Sequence, residues 1–275
     1  MSSETIKIYV SITCISQHQQ ALYECLDSIK NQSVKPDACY VYLSQEPYLL
    51  DAGFETCEIQ CEDLANLIEN NDMFRLNWVE NTGPYRKLLP LLQNKWNENC
   101  LIITIDADTV YHPDLVKDLV ADYHREKCCV GNRCWEINLD NPLKTVYKTG
   151  ILPSDDKQIN NFHTGKGGVL YSPEFFRKVE DIIFDKTLYT KLCATGDDIW
   201  FNMLRVANNT PCSVGSRSYP YVRHKRNGKY LLYDQGSKTR SLALWTNYNC
   251  RTKNTRDLKS TLKFLLDNNY LGGII

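Results

Sequence analysis

No stretch of this sequence reaches the roughly 18 apolar residues that a membrane-spanning helix requires. It has no internal repeat and no low-complexity tract. An excess of charge of one sign is missing too, since 32 Lys and Arg stand against 33 Asp and Glu. That balance argues against a polyelectrolyte partner such as duplex nucleic acid or an anionic membrane, and any anionic ligand must be held by a local site. Met1 to Thr5 is polar and runs straight into an alternating segment without a basic-then-apolar leader, so a soluble, cytoplasmic protein is expected.

Cysteine is abundant, with twelve residues, but paired zinc knuckles are lacking. Cys14, Cys25, Cys39 and Cys100 lie inside hydrophobic segments, which reads as buried free thiols rather than a disulfide scaffold. The nearest approach to a metal pattern, Cys128, Cys129 and Cys134, reads as core.

The chain is long enough for one large domain with a C-terminal appendage. Ile6, Ile8, Val10 and Ile12 alternate with polar residues as in a half-buried strand, and Leu22, Cys25, Leu26 and Ile29 follow with helical spacing. The unit recurs: Cys39 to Leu43, Leu76 to Val79 and Leu101 to Ile105 read as strands, and Tyr85 to Trp96 as a helix. Pro113 sits where a first-turn proline belongs, before a helical face of Leu115, Val116, Leu119, Val120 and Tyr123. Asn138 to Gly168 reads as loops, Ile199 to Val206 as a helix, Cys212 to Val214 and Tyr219 to Val222 as strands, and Leu258 to Leu266 as an amphipathic helix. The pattern predicts an α/β fold with a mostly parallel central sheet flanked by helices. Residues 1–222 form the main domain, and residues 223–275 a C-terminal extension with a flexible basic loop and a terminal helix, packed on the same domain.

The apolar run Leu101 to Ile105 delivers Asp106 and Asp108 to the carboxyl end of a strand, where open α/β sheets bind ligands. Two carboxylates two residues apart in extended backbone face the same way and can share one hard cation. The ordinary alternative is a solvated turn with an Asp capping the next helix.

Asp106-Ala107-Asp108 resembles the Asp-x-Asp motif of GT-A glycosyltransferases, and other segments fit in order. Tyr9 to Thr13 and Leu26 to Pro36 resemble the first strand and following helix end of glycosyltransferase family 2. Asn81 to Lys87 is similar to the segment approaching the nucleotide, Gly165 to Tyr171 to an acceptor-side glycine segment, and Gly196 to Trp200 to a late acidic motif opening a helix. The resemblance spans roughly residues 6 to 215. It departs at the second strand, where Leu43-Ser44-Gln45 replaces the usual acidic pair, and the tail from His224 to Ile275 has no matching segment.

The resemblance implies a GT-A, Rossmann-like fold and a transferase moving a hexosyl or pentosyl group from a nucleoside-diphosphate sugar, by preference a uridine one. The acceptor would be a hydroxyl of a glycan, glycoprotein or glycolipid. Asp108 becomes the direct ligand of Mn2+ or Mg2+, with Asp106 on the ribose or a metal-bound water, and either ion suits oxygen donors. The base becomes Asp198, implying inversion, with Asp197 beside it; the alternative for both is a helix cap with first-turn charge. Donor contacts fall to Thr13, Ser44, Asn81, Lys87, Asp106, Gly167 and Gly168. Lys87, with Arg86, would reach phosphate or the base region, or else lie on a solvated helix face. His224, among Lys225 and Arg226, is a candidate third metal ligand or a structural histidine. Trp200 reads equally as core or acceptor platform.

The rival from another class is a haloacid-dehalogenase-like magnesium phosphatase, because Asp106-Ala-Asp-Thr-Val110 also satisfies its nucleophile motif and Gly196-Asp-Asp198 echoes its magnesium motif. That family carries its nucleophile on the first strand, and the downstream acid of its metal motif is missing here, with Asn202 near that place.

Overall fold

The computed structural model describes residues 6–147, 157–216, 231–234 and 240–274. In chain order the elements begin β1 (Lys7–Thr13), α1 (Gln19–Lys30), β2 (Ala38–Leu43), α2 (Glu62–Glu69), β3 (Phe74–Trp78), α3 (Leu89–Asn94), β4 (Cys100–Asp106), β5 (Thr109–Tyr111) and α4 (Leu115–Glu126). They continue with β6 (Cys129–Gly131), β7 (Cys134–Glu136), β8 (Asn161–His163), β9 (Val169–Tyr171), α5 (Glu180–Ile183), α6 (Lys186–Cys193) and α7 (Asp197–Ala207). Last come β10 (Cys212–Val214), β11 (Leu231–Asp234), α8 (Leu244–Asn247) and α9 (Arg251–Asp267).

Seven strands form one sheet in the order β10-β6-β9-β4-β1-β2-β3. All neighbouring pairs are parallel except those of β9, which runs antiparallel to both β4 and β6. Two short antiparallel pairs, β11 with β5 and β7 with β8, lie outside it.

The two-residue period of the strands divides the core. Val10 and Ile12 of β1, Val41 and Leu43 of β2, and Ile103 and Ile105 of β4 pack with Leu22, Leu26, Leu64, Leu115 and Leu119 of α1, α2 and α4. The alternate residues Tyr9, Tyr42 and Ile102 face Leu91, Tyr189, Trp200, Phe201, Leu258 and Leu262 of α3, α6, α7 and α9. Because helices cover both faces, β1 is not half-buried: Ser11 is as buried as Val10 and Ile12. The three leucines Leu258, Leu262 and Leu265 join α9 to the same core as α7.

Some expected boundaries move. Pro113 precedes the N-cap Asp114 instead of occupying the first turn of α4. The segment from Tyr85 to Trp96 breaks into a 3-10 turn, Gly83–Lys87, and α3, because Pro90 lacks the N–H that a continuous helix would need. The loop region from Asn138 contains β8, and α9 begins at Arg251, well before Leu258. The expected strand Tyr219 to Val222 lies outside the described residues. None of the twelve cysteines is in a disulfide, and nine are buried. Among the described residues no helix is long and apolar enough to cross a membrane.

Candidate functional site

Parallel β1 and β4 run in register, with Thr13 opposite Asp106, so both end at the carboxyl edge of the sheet. The Oγ1 of Thr13 donates to the Tyr42 carbonyl (2.8 Å), which ties β1 to β2. Asp106 is the last residue of β4, and its N–H donates to the Tyr111 hydroxyl (2.9 Å), which in turn donates to the Lys166 carbonyl (3.1 Å). Asp108 is not in extended backbone: it lies in the two-residue turn joining β4 to β5. The two carboxylates therefore do not stand side by side on one strand, as expected; the turn instead places Asp108 beside Lys166, with Nζ to Oδ2 at 3.8 Å.

Lys87 is the hinge of the arrangement. It ends the 3-10 turn after Asn81, is buried, and sets its Nζ 2.9 Å from Asp106 Oδ1 and 3.2 Å from Asp197 Oδ2. Burial disfavours its charge, yet Asp106, Asp197 and Asp198 together hold its pKa well above the usual value. Burial likewise opposes charge on Asp106, but Lys87, with Lys166 and Arg133, keeps it below the ordinary carboxylate range. The alternative of a Lys87 on a solvated helix face does not hold.

Asp197 and Asp198 open α7, as the motif implied. No side chain caps this helix. Asp198 Oδ1 accepts from the Gly165 N–H (3.0 Å), and its carbonyl accepts from Asn202 Nδ2 (2.7 Å). Burial, and then the neighbouring charge of Asp197, push Asp198 up to about 7. Burial raises Asp197 too, against the pull of Lys87.

Gly165 closes the ring. A Cβ there would stand 2.5 Å from Lys87 Nζ and 2.9 Å from Asp106 Oδ1, so any other residue would push the ends of these two side chains from their present places. Gly167 packs against the backbone of Arg133, and Gly168 takes φ +84°, a left-handed conformation that a side chain would strain. Lys87, Asp106, Gly165, Asp197 and Asp198, from four separate segments, thus converge on one place.

A second constellation lies beside it. Arg86, fully buried, gives NH2 to Asp51 Oδ2 (2.9 Å), NH1 to Ser44 Oγ (2.7 Å) and Nε to the Gly83 carbonyl (3.1 Å). Asn81 donates Nδ2 to Asp51 Oδ2 (3.1 Å) and to the Glu46 carbonyl (2.9 Å). Asp51 Oδ1 accepts the N–H of Ser16 (2.9 Å) and of Gly53 (3.1 Å). Ser44 and Asn81 are therefore turned into a frame centred on Asp51, which motif reading did not single out because one acid in an aperiodic loop carries no signal.

His224 lies outside the described residues. Among the described residues no group of three or more His, Cys, Asp or Glu side chains is suited to hold a metal by itself. Hard cations are also held by one or two carboxylates together with substrate phosphates and water, and Asp106 and Asp108 are donors of that kind. Trp200 is core, with its Nε1 donating to the Ile183 carbonyl (3.1 Å).

No protein-family model matches this sequence, and no curated protein does. Solved structures show the fold: the chain has a GT-A, Rossmann-like α/β architecture. The structure of S. aureus TarS residues 1–349 resembles it with a TM-score of 0.51 and 14% identity, over 98% of this chain and 74% of that one. The same TarS fragment in complex with UDP gives the same values. A further TarS structure has a TM-score of 0.50 and 14% identity, over 91% of this chain and 41% of the other.

Proposed function

We propose that this chain is a metal-dependent, inverting glycosyltransferase that moves a sugar from a nucleoside-diphosphate sugar, a uridine one by preference, to an acceptor hydroxyl of a glycan, glycoprotein or glycolipid. The observation carrying the reading is the convergence of Lys87, Asp106, Gly165, Asp197 and Asp198 at the carboxyl edge of the sheet, with Lys87 and Asp197 buried. The fold likeness to TarS, which has been solved with UDP, supports the choice of donor.

In this reading the donor lies along the carboxyl edge, with the Asp51 frame bracing the wall near Thr13, Ser44 and Asn81. Asp108 and Asp106 would hold Mn2+ or Mg2+, and His224 completes the set in the sequence-based assignment. Such an ion would supply positive charge to offset the negative charge that develops on the leaving diphosphate. Gly167 and Gly168 let backbone approach the sugar.

Asp198 is the general base. The acceptor oxygen attacks the anomeric carbon, the bond from that carbon to the diphosphate breaks, and the hydroxyl proton passes to Asp198. A carboxylate pushed up to about 7 is matched to this work near neutral pH. The Gly165 N–H fixes the Oδ1 of this base, and the charge of Lys87 partly offsets the push of Asp197 and Asp106 on it. Residues 1–222 form the catalytic domain, and residues 223–275 pack on it.

A screen of nucleotide sugars with Mn2+ or Mg2+, reading release of nucleoside diphosphate with and without glycan acceptors, tests the proposal. Release from one donor class is expected. A phosphate covalently trapped on Asp106 from a phosphomonoester would instead establish the phosphatase reading.

A further inference from the structure

The start of α7 has no side-chain cap, although it carries both acids of the site. Its placement depends on the turn Cys193 to Gly196 that precedes it. Within the turn, the Gly196 N–H donates to the Cys193 carbonyl (2.8 Å), and the Gly196 carbonyl accepts from Ile199 (2.9 Å) and Trp200 (3.1 Å). From one side Tyr85, two residues before Lys87, donates its hydroxyl to the Cys193 carbonyl (2.7 Å).

The other side is held by the C-terminal segment. Asn249, 54 residues further along the chain, donates Nδ2 to the Thr195 carbonyl (2.9 Å), while its Oδ1 accepts from the Thr195 hydroxyl. Lys253, in the first turn of α9, donates to the same hydroxyl (3.0 Å) and pairs with Asp257. Thr195 and Asp257 are both buried. Leu258, Leu262 and Leu265 seat α9 in the core it shares with α7, so the hold has a rigid base. Polar side chains of the C-terminal segment thus converge on one buried threonine two residues before Asp197.

We infer that Asn249 and Lys253 are positioning residues, which clamp Thr195 and thereby set where Asp197 and Asp198 stand. The inference deepens the proposed function and rests on it for its catalytic consequence. Through the clamp, the C-terminal segment fixes the register of the base against the donor side, where Lys87 and Gly165 meet the same two acids. A shift of about 1 Å in a reacting group can cost on the order of a hundredfold in rate, so a clamp two residues from Asp197 bears directly on turnover.

The test uses the full chain with Thr195→Val, which keeps the shape and removes the hydroxyl, against Thr195→Ser, which keeps the hydroxyl. Asn249→Ala removes the same contact from its other end. Expected for Thr195→Val and Asn249→Ala are faster amide exchange at Ile199 and Trp200 with β1 and β4 unchanged, and a fall of about tenfold or more in kcat. Donor affinity stays within about twofold, and Thr195→Ser restores both readouts. Amide exchange at the start of α7 unchanged from wild type would overturn the clamp. So would a lowered Tm with unchanged kcat per folded molecule, which is what a merely structural contact gives. Faster exchange in a protein whose wild type transfers no sugar upholds the clamp and removes the transferase reading, so the two failures are distinct.

Discussion

Replacing Lys87 by Met keeps an unbranched side chain one atom shorter and removes the charge from between Asp106 and Asp197. The two carboxylates then lose a partner at 2.9 and 3.2 Å in a place where Asp197 and Lys87 side chains are each only 10% exposed. Removing one member of a buried ion pair costs about 3–5 kcal/mol. At about 2–4 °C per kcal/mol for a domain of this size, Tm should fall by roughly 6–20 °C at pH 7. The penalty has a pH signature. In the wild type Asp106 is held below the ordinary carboxylate range, so its stabilising contribution is present above that range and fades as pH drops through the lowered value. In the variant Asp106 and Asp197 protonate more readily, so the gap from wild type should be widest at neutral pH and narrow as the solution is acidified. Scanning calorimetry of both proteins from pH 4 to pH 8 measures it. A Tm within 2 °C of wild type at pH 7, or a gap independent of pH, would refute the placement of Lys87.

Asp198→Asn should lower kcat by about a hundredfold or more and leave donor affinity near wild type, because a base acts only as the acceptor proton moves; equal losses in binding and turnover would contradict that role. In the wild type, kcat/KM should rise with pH through a limb near 7, since the base must be ionised and is lost as pH falls through that value. A profile flat from pH 5 to pH 9 removes Asp198 as the titrating base. Gly165→Ala puts a methyl 2.5 Å from Lys87 Nζ and should cut turnover about a hundredfold, read by steady-state kinetics; activity within threefold of wild type would mean that the approach is not required.

The central strand was plain in the sequence because an unbroken apolar run ending in acid admits few other readings, and Leu101 to Ile105 sits inside β4. Helices α1 and α4 followed from periodicity, and Leu22, Leu26, Leu115 and Leu119 are indeed buried. Local sequence could not disclose the fate of Lys87, whose partner Asp197 lies 110 residues on, or of Asp51, whose role depends on Arg86 and Asn81 folding back to it. The antiparallel course of β9 was hidden because three residues, Val169 to Tyr171, carry no directional signal. The contacts of the polar C-terminal segment were invisible for a similar reason: Thr195 lies 54 residues before Asn249 and 58 before Lys253, and no local pattern links them.

Calorimetric titration of uridine diphosphate sugars into the wild type and Asp108→Asn, each with Mn2+ and with chelator, addresses the central claim most directly. The account predicts binding by the wild type with the ion, and at least tenfold weaker binding both with chelator and in the variant, as expected when a ligand to the diphosphate-bound cation is lost. Failure of every nucleotide sugar to bind, uridine, guanosine and thymidine alike, or equal affinity in all four conditions, would contradict it.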